Sequence, residues 1–269
     1  MEVSFEEIAG RRVQVAEGGS GRPLLYLHSA AGEALIWMDV LNGLAEDRTV
    51  IAPAHPGFWE SQGLETIHDI EDLAIHYLAF MDARGWEQVD VMGTSLGGWI
   101  AMELASRWPE RVGRLVLAAS VGIRVPGVEM ADVFAMTMGK EEDARALSFH
   151  DPHHALAKMA IPDMTTLDDD DLANFLKAMA ATAKVAWNPY MHDPRLESML
   201  PRVTADTLLI WGRSDKVVPV PYGERLEQLI PGARLVVIDE CGHSIMLEKP
   251  EAALEAARGH LRAGAAAAA

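Results

Sequence analysis

"VMGTSLGGWIAMELASRWPERV", Val91 to Val112, sets a serine among glycines where an apolar, strand-like run gives way to a helical pattern. A solvent-exposed polar turn would explain a Ser-Leu-Gly-Gly run, and so would a turn that holds one hydroxyl in a reactive position. Gly93-Thr94-Ser95-Leu96-Gly97 fits G-x-S-x-G. In that pattern a serine on a sharp strand-to-helix turn needs small neighbours, because the backbone is crowded there. The helix beginning at Leu96 would direct its first amides and positive dipole end toward the hydroxyl. The pentapeptide alone is a weak signal; a strand before it and an amphipathic helix after it make it specific.

Outward from this turn, short apolar runs alternate with helical patterns. Strands are predicted at 3–8, 11–17, 24–28, 49–53, 88–93, 114–119, 207–212 and 234–239, with Gly18-Gly19-Ser20-Gly21 as a loop. Helices are predicted at 34–45, 66–83, 96–107, 222–230 and 249–262, with the apolar residues of 66–83 at a 3.6-residue period. Elements of these lengths in this order imply an α/β fold with a mostly parallel sheet covered on both faces. One segment breaks the rhythm. Between Ser120 and Pro201 there is no convincing strand, and helical stretches fit 129–138, 140–147, 153–160 and 168–186. The Asp168–Asp171 run reads as a solvated helix start.

A serine hydroxyl is a poor nucleophile until a base removes its proton. In this arrangement the orienting acid and the base follow downstream, in the order acid, then histidine. Asp215 in "WGRSDKVVP" comes just past strand 207–212, and His243 in "DECGHSIMLEKP" just past strand 234–239. Ser95, Asp215 and His243 thus fall at C-terminal strand ends, the sheet edge where ligands bind. Asp239 and Asp193 are rival acids. His28 and His55 read as structural, and Cys241 as a small apolar residue. His150, Asp151, His153 and His154 match no defined metal spacing, so no metal is expected.

The chain resembles the α/β-hydrolase fold family, serine esterases and carbon–carbon hydrolases with a helical lid. The resemblance runs from about Leu24 to Pro250 and rests on "LHSAAG" (27–32), "PAHPGFWES" (53–61), "GTSLGGW" (93–99), "WGRSDKVVP" (211–219) and "GHSIMLEKP" (242–250). It implies an α/β-hydrolase core at 1–120 and 201–263, a helical lid at 121–200 inserted after the sixth strand, and a tail at 264–269 outside the fold. It implies Ser95 as nucleophile, His243 as general base and acid, and Asp215 as the group that orients the imidazole. The oxyanion hole would be the amides of Leu96 and Ala30. Family members usually read His-Gly where this chain reads His28-Ser29, and Ser29 could add a hydroxyl donor. Substrate-binding candidates are Ser29, Phe58, Trp59, Met136, Met159, Trp187 and Val217, the methionines as adaptable lining. No cofactor is implied.

Composition narrows the partners. A formal net charge of −17 opposes binding to nucleic acid or anionic lipid. No run of about 18 apolar residues would span a membrane. Cys241 is the sole cysteine, and the acidic N-terminus lacks the order of a signal peptide, so a cytoplasmic location is expected. The expected partner is a small-molecule ester or related carbonyl compound, with homodimer formation left open. The leading expectation is hydrolysis of a carboxylic ester of a small or medium acyl or aromatic group through an acyl-enzyme. The alternatives are carbon–carbon hydrolysis of ring-cleavage products, lactone hydrolysis and, from another class, a ligand receptor on the same fold. Carbon–carbon hydrolases of this kind often carry Asn before the nucleophile and Trp after the histidine, where this chain has Thr94 and Ser244. Family members that cleave halides or epoxides use an aspartate nucleophile, which Ser95 argues against.

Overall fold

Leu24, Leu25, Tyr26 and Leu27 are all fully buried, as a continuous apolar run requires of a strand covered on both faces. They lie in the middle of an eight-stranded sheet of order β1-β2-β4-β3-β5-β6-β7-β8. The computed structural model describes residues 1–262; the tail expected at 264–269 lies outside them. The strands are β1 (Glu2–Ile8), β2 (Arg11–Gly19), β3 (Arg22–Leu27), β4 (Arg48–Pro53), β5 (Val89–Thr94), β6 (Val112–Ala118), β7 (Asp206–Gly212) and β8 (Arg234–Ile238). β1 and β2 form an antiparallel hairpin turned at Ala9 and Gly10, β2 pairs antiparallel with β4, and all pairings from β4 through β8 are parallel.

The pleat sorts side chains into two cores. Leu25 and Leu27 face one side, with Val91, Leu209 and Trp211, and meet α2 (Ile70–Ala83), α3 (Leu96–Arg107) and α9 (Val220–Leu229). Leu24 and Tyr26 face the other, with Met92, Leu208 and Ile210, and meet α1 (Asp39–Leu44) and α11 (Pro250–Arg262). Three expectations need correction. Gly18 and Gly19 are strand rather than loop, paired with Val50 and Thr49. The helix expected over 34–45 is split into a 3-10 turn (Glu33–Leu35) and α1, because Ile36 and Met38 are extended. Helix α2 starts at Ile70 rather than Thr66, where Asp69 accepts from the Asp72 amide and caps it.

Between β6 and β7 the chain forms α4 (Val133–Met138), α5 (Glu141–Ser148), α6 (Ala155–Ala160), α7 (Asp169–Ala186) and α8 (Leu196–Met199). Asp168 caps α7 through the Asp171 amide, so the aspartate run is a helix start. This segment touches loops at the C-terminal ends of three strands. The Ala131 amide donates to Val217 O, Ser244 N to Ser148 O, and Lys184 Nζ to Leu64 O. A short helix after β8, α10 (Ile245–Glu248), has no counterpart in the sequence reading.

At the opposite edge a buried carboxylate ties four strands together. Asp90 on β5 is fully buried; it accepts from Arg22 and from the Arg114 amide at 3.0 Å, and from Arg48 at 2.8 Å. Arg48 also donates to Leu261 O, which fastens α11 to the sheet. Replacing Asp90 by Ala would leave the nearly buried Arg48 without its counter-charge. We expect Asp90→Ala to lose about 3–5 kcal/mol of unfolding free energy in a urea titration, with the spectrum of the folded state preserved.

Candidate active site

Ser95 joins β5 to α3 with φ 52° and ψ −109°, a strained backbone for a residue with a side chain. The strain is held from both sides. A Cβ on Gly93 would run into Gly97 O and come within 2.8 Å of Gly98 Cα, and one on Gly97 would strike the carbonyls of Leu27 and His28. Helix α3 therefore rests directly on the end of β3 and on the loop that follows it. The Ser95 amide donates to Ala118 O at 2.9 Å, and its carbonyl accepts from Val121 and Trp99.

His243 and Asp215 meet this serine. His243 Nε2 lies 3.2 Å from Ser95 Oγ, and Nδ1 lies 2.9 Å from Asp215 Oδ2. Asp215 Oδ1 accepts from the amides of Val217 and Val218 at 2.9 and 2.8 Å, which leaves Oδ2 for the imidazole. The Asp215 side chain has no exposure, whereas that of His243 keeps 17%. The rivals are engaged elsewhere: Asp239, 74% exposed, pairs with Arg213, and Asp193 with Arg195. A hydroxyl, an imidazole and a buried carboxylate in line can move a proton from Ser95 Oγ to Nε2 while the carboxylate balances the charge formed.

Burial works against a charged His243, but the Asp215 charge, its hydrogen bond and the Glu33 charge outweigh it and hold the pKa above its ordinary value. The His243 loop is braced by Glu248 on α10, whose carboxylate accepts from the amides of Gly242 and, at 2.8 Å, His150. Sequence reasoning missed Glu248, since its role depends on where the segment between β6 and β7 returns to the loop.

The loop after β3 is clamped by a row of rings. His28 and His55 stack at 3.6 Å, with Phe58 edge-on to both. The partners fix both tautomers. Tyr77 Oη donates to His55 Nδ1; His55 Nε2 donates to His28 O at 2.9 Å; His28 Nδ1 donates to Ser29 O at 2.7 Å; and His28 Nε2 accepts from the His55 amide at 2.9 Å. Burial keeps both rings neutral, pushing His28 down to about 4 and His55 well below its ordinary value. Both histidines are thus structural, as read from the sequence, but they serve the loop that carries Ala30.

The other expected residues divide. Ala30 and Leu96 lie on the two backbone segments that Gly97 brings into contact. The Ser29 hydroxyl donates to Glu33 Oε2 at 2.6 Å, so it is committed to the loop rather than free as an added oxyanion donor. Phe58 packs on the histidines, Trp59 Nε1 donates to Gly32 O, and Val217 is buried beside Asp215. Met136 packs against the larger core, while Met159 and Trp187 are 64% and 57% exposed and are not enclosed with Ser95. His150 bonds Ser214, and His154 caps α6.

Known proteins resemble this chain along nearly all of it. A family model for the alpha/beta hydrolase fold matches residues 22–250. A 2-hydroxymuconate semialdehyde hydrolase of Pseudomonas sp. strain CF600 is 30% identical over 247 residues, covering 89% of this chain and 87% of that one. A 2-hydroxy-6-oxo-2,4-heptadienoate hydrolase of Pseudomonas putida is 28% identical over 256 residues, covering 89% of each. Among solved structures, a bacterial membrane phospholipase A superposes with a TM-score of 0.82 at 24% identity, covering 97% of this chain and 85% of that one. A meta-cleavage product hydrolase, CumD, does so with 0.77 at 24% identity, covering 96% and 97%. At these identities the structural likenesses show the fold. No helix among the described residues is long and apolar enough to cross a membrane.

Two outcomes follow from the geometry. His243 should titrate above about 6.5 in an NMR pH series, because Asp215 and Glu33 favour its charged form; a midpoint below that value would contradict the ion-paired geometry. Tyr77→Phe removes the donor to a buried ring nitrogen. It should cost about 1–3 kcal/mol in urea unfolding, and an unchanged midpoint would mean that the ring row does not clamp the loop.

Proposed function

The chain belongs to the α/β-hydrolase fold family, and within it we propose a serine hydrolase that attacks a substrate carbonyl through Ser95. The observation that carries this reading is the row Ser95 Oγ, His243, Asp215 at 3.2 and 2.9 Å on a strained strand-to-helix turn. Ser95 Oγ adds to the carbonyl carbon as its proton passes to His243 Nε2. The amides of Leu96 and Ala30 receive the oxyanion. The bond beside the carbonyl then breaks, and His243 gives its proton to the leaving atom. Water adds to the acyl-enzyme as His243 takes its proton; the acyl–Oγ bond then breaks to release the acid, and His243 returns the proton to Ser95 Oγ. The helices between β6 and β7 act as a lid that limits water and shapes the acyl pocket, a role consistent with their contacts to the loops after β4, β7 and β8.

For the bond cleaved, hydrolysis of a carbon–carbon bond next to a ketone comes first, because the relatives named for such substrates match this chain nearly end to end. In that reaction the leaving carbon departs as an enolate and takes its proton from His243, so the substrate must be a conjugated or β-dicarbonyl compound. Ester hydrolysis comes second. It is favoured by Thr94 and Ser244, which stand where carbon–carbon hydrolases often carry Asn and Trp.

A fluorophosphonate should label Ser95, as mapped by mass spectrometry. A panel of ring-cleavage dienones, acyl esters and lactones should then show one class with the dominant kcat/KM. An unlabelled Ser95 would overturn the nucleophile, and a preference for esters would promote the second reading over the first.

A further inference from the structure

Glu33 stands beside the candidate site, and among the described residues no cation pairs with it. Its Oε1 accepts from the Ser29 amide at 2.9 Å and from the Tyr26 hydroxyl at 3.2 Å, and its Oε2 from the Ser29 hydroxyl at 2.6 Å. All three donors are neutral. The Tyr26 oxygen in turn lies 3.3 Å from Thr94 Oγ1, so the network ends one residue from Ser95. The Glu33 charge acts on His243 in the same sense as that of Asp215, which is also negative. Asp215 is matched by two amides and by the imidazolium that forms in the reaction. Glu33 is in contact with neutral donors, and its charge meets the imidazolium at longer range than that of Asp215 does.

We propose that Glu33 sets the charge class of the substrate, so that the site takes acyl groups without a carboxylate near the reacting carbonyl and rejects anionic ones. The proposal rests on the serine-hydrolase reading and narrows it. A carboxylate brought beside a carboxylate that has no cation against it is repelled, the more strongly the less water stands between them. The dienoate after which one relative is named carries its carboxylate at the end of the chain away from its ketone, so the exclusion bars a carboxylate close to the carbonyl and leaves such a carbon–carbon substrate open.

Glu33 also holds Ser29, and through it the Ala30 loop, so a charge role has to be separated from a positioning role. Nitrophenyl butanoate and nitrophenyl hemisuccinate, a neutral and an anionic ester, separate them. Wild type should prefer the butanoate in kcat/KM. Glu33→Gln should shrink that preference by roughly three- to tenfold, while Glu33→Asp, which keeps the charge, should retain it. The acid limb of the pH profile should also move to lower pH in Glu33→Gln, since one of the two carboxylates that favour the charged imidazole would be gone. A preference unchanged in Glu33→Gln, with both esters slowed alike, would overturn the proposal and leave Glu33 a loop brace. Should Glu33→Gln not fold, the wild type alone still decides: equal kcat/KM for the butanoate and the hemisuccinate overturns the proposal. Fluorophosphonate labelling run in parallel keeps the two levels apart: an unlabelled Ser95 in wild type sinks the hydrolase reading itself, whereas labelling with an unaltered ester ratio sinks the Glu33 proposal alone.

Discussion

The close approach of α3 to the ends of β3 and β5 is the constraint on which the site depends. The gap has no room for a side chain at Gly93 or Gly97, and closing it forces Ser95 to positive φ. That one contact lifts the serine hydroxyl off the sheet, puts the Leu96 amide at a helix start, and sets it against the loop after β3. Local strain of this kind persists only where the surroundings over-determine it. Here the surroundings are strands whose side chains are buried on both faces and a carboxylate, Asp90, that fastens their other ends.

Much of this was legible in the sequence because the signals are local. The glycines of G-x-S-x-G report a crowded turn, and continuous apolar runs report strands covered twice. Asp215 and His243 could be picked out because the order of strands puts them at the same edge as Ser95. The split of the helix expected at 34–45 was not legible, since its apolar period continues across the extended Ile36 and Met38. Nor were the partners of the loop after β3. Glu33, Tyr26, His55 and Tyr77 are scattered over some fifty positions, and only the sheet order and α2 bring them to one place. The pocket candidates were the least legible. Met159 and Trp187 were selected for residue type, and residue type does not say which way a helix in the segment between β6 and β7 turns its side chains.

Electrostatically the site is built from neutral rings and negative carboxylates. His28 and His55 are held uncharged by burial, so they position the loop without adding a positive field to it. His243 is the group that burial alone would also keep neutral, and the two carboxylates reverse that tendency. His243 differs from the two fully buried histidines above all in its neighbours, with carbonyls and a phenol around those two and a carboxylate against the third.

Glu248 and Ser148 show how the two parts of the chain are joined. The His243 loop bonds through Glu248 to the His150 amide and through the Ser244 amide to Ser148 O. The segment between β6 and β7 is therefore not an interchangeable module. A chimera that carried a foreign segment here would have to supply a carbonyl where Ser148 stands and an amide where His150 stands, or the histidine loop would lose its footing. Divergence within this segment has an easier route through side-chain replacement than through exchange of the whole.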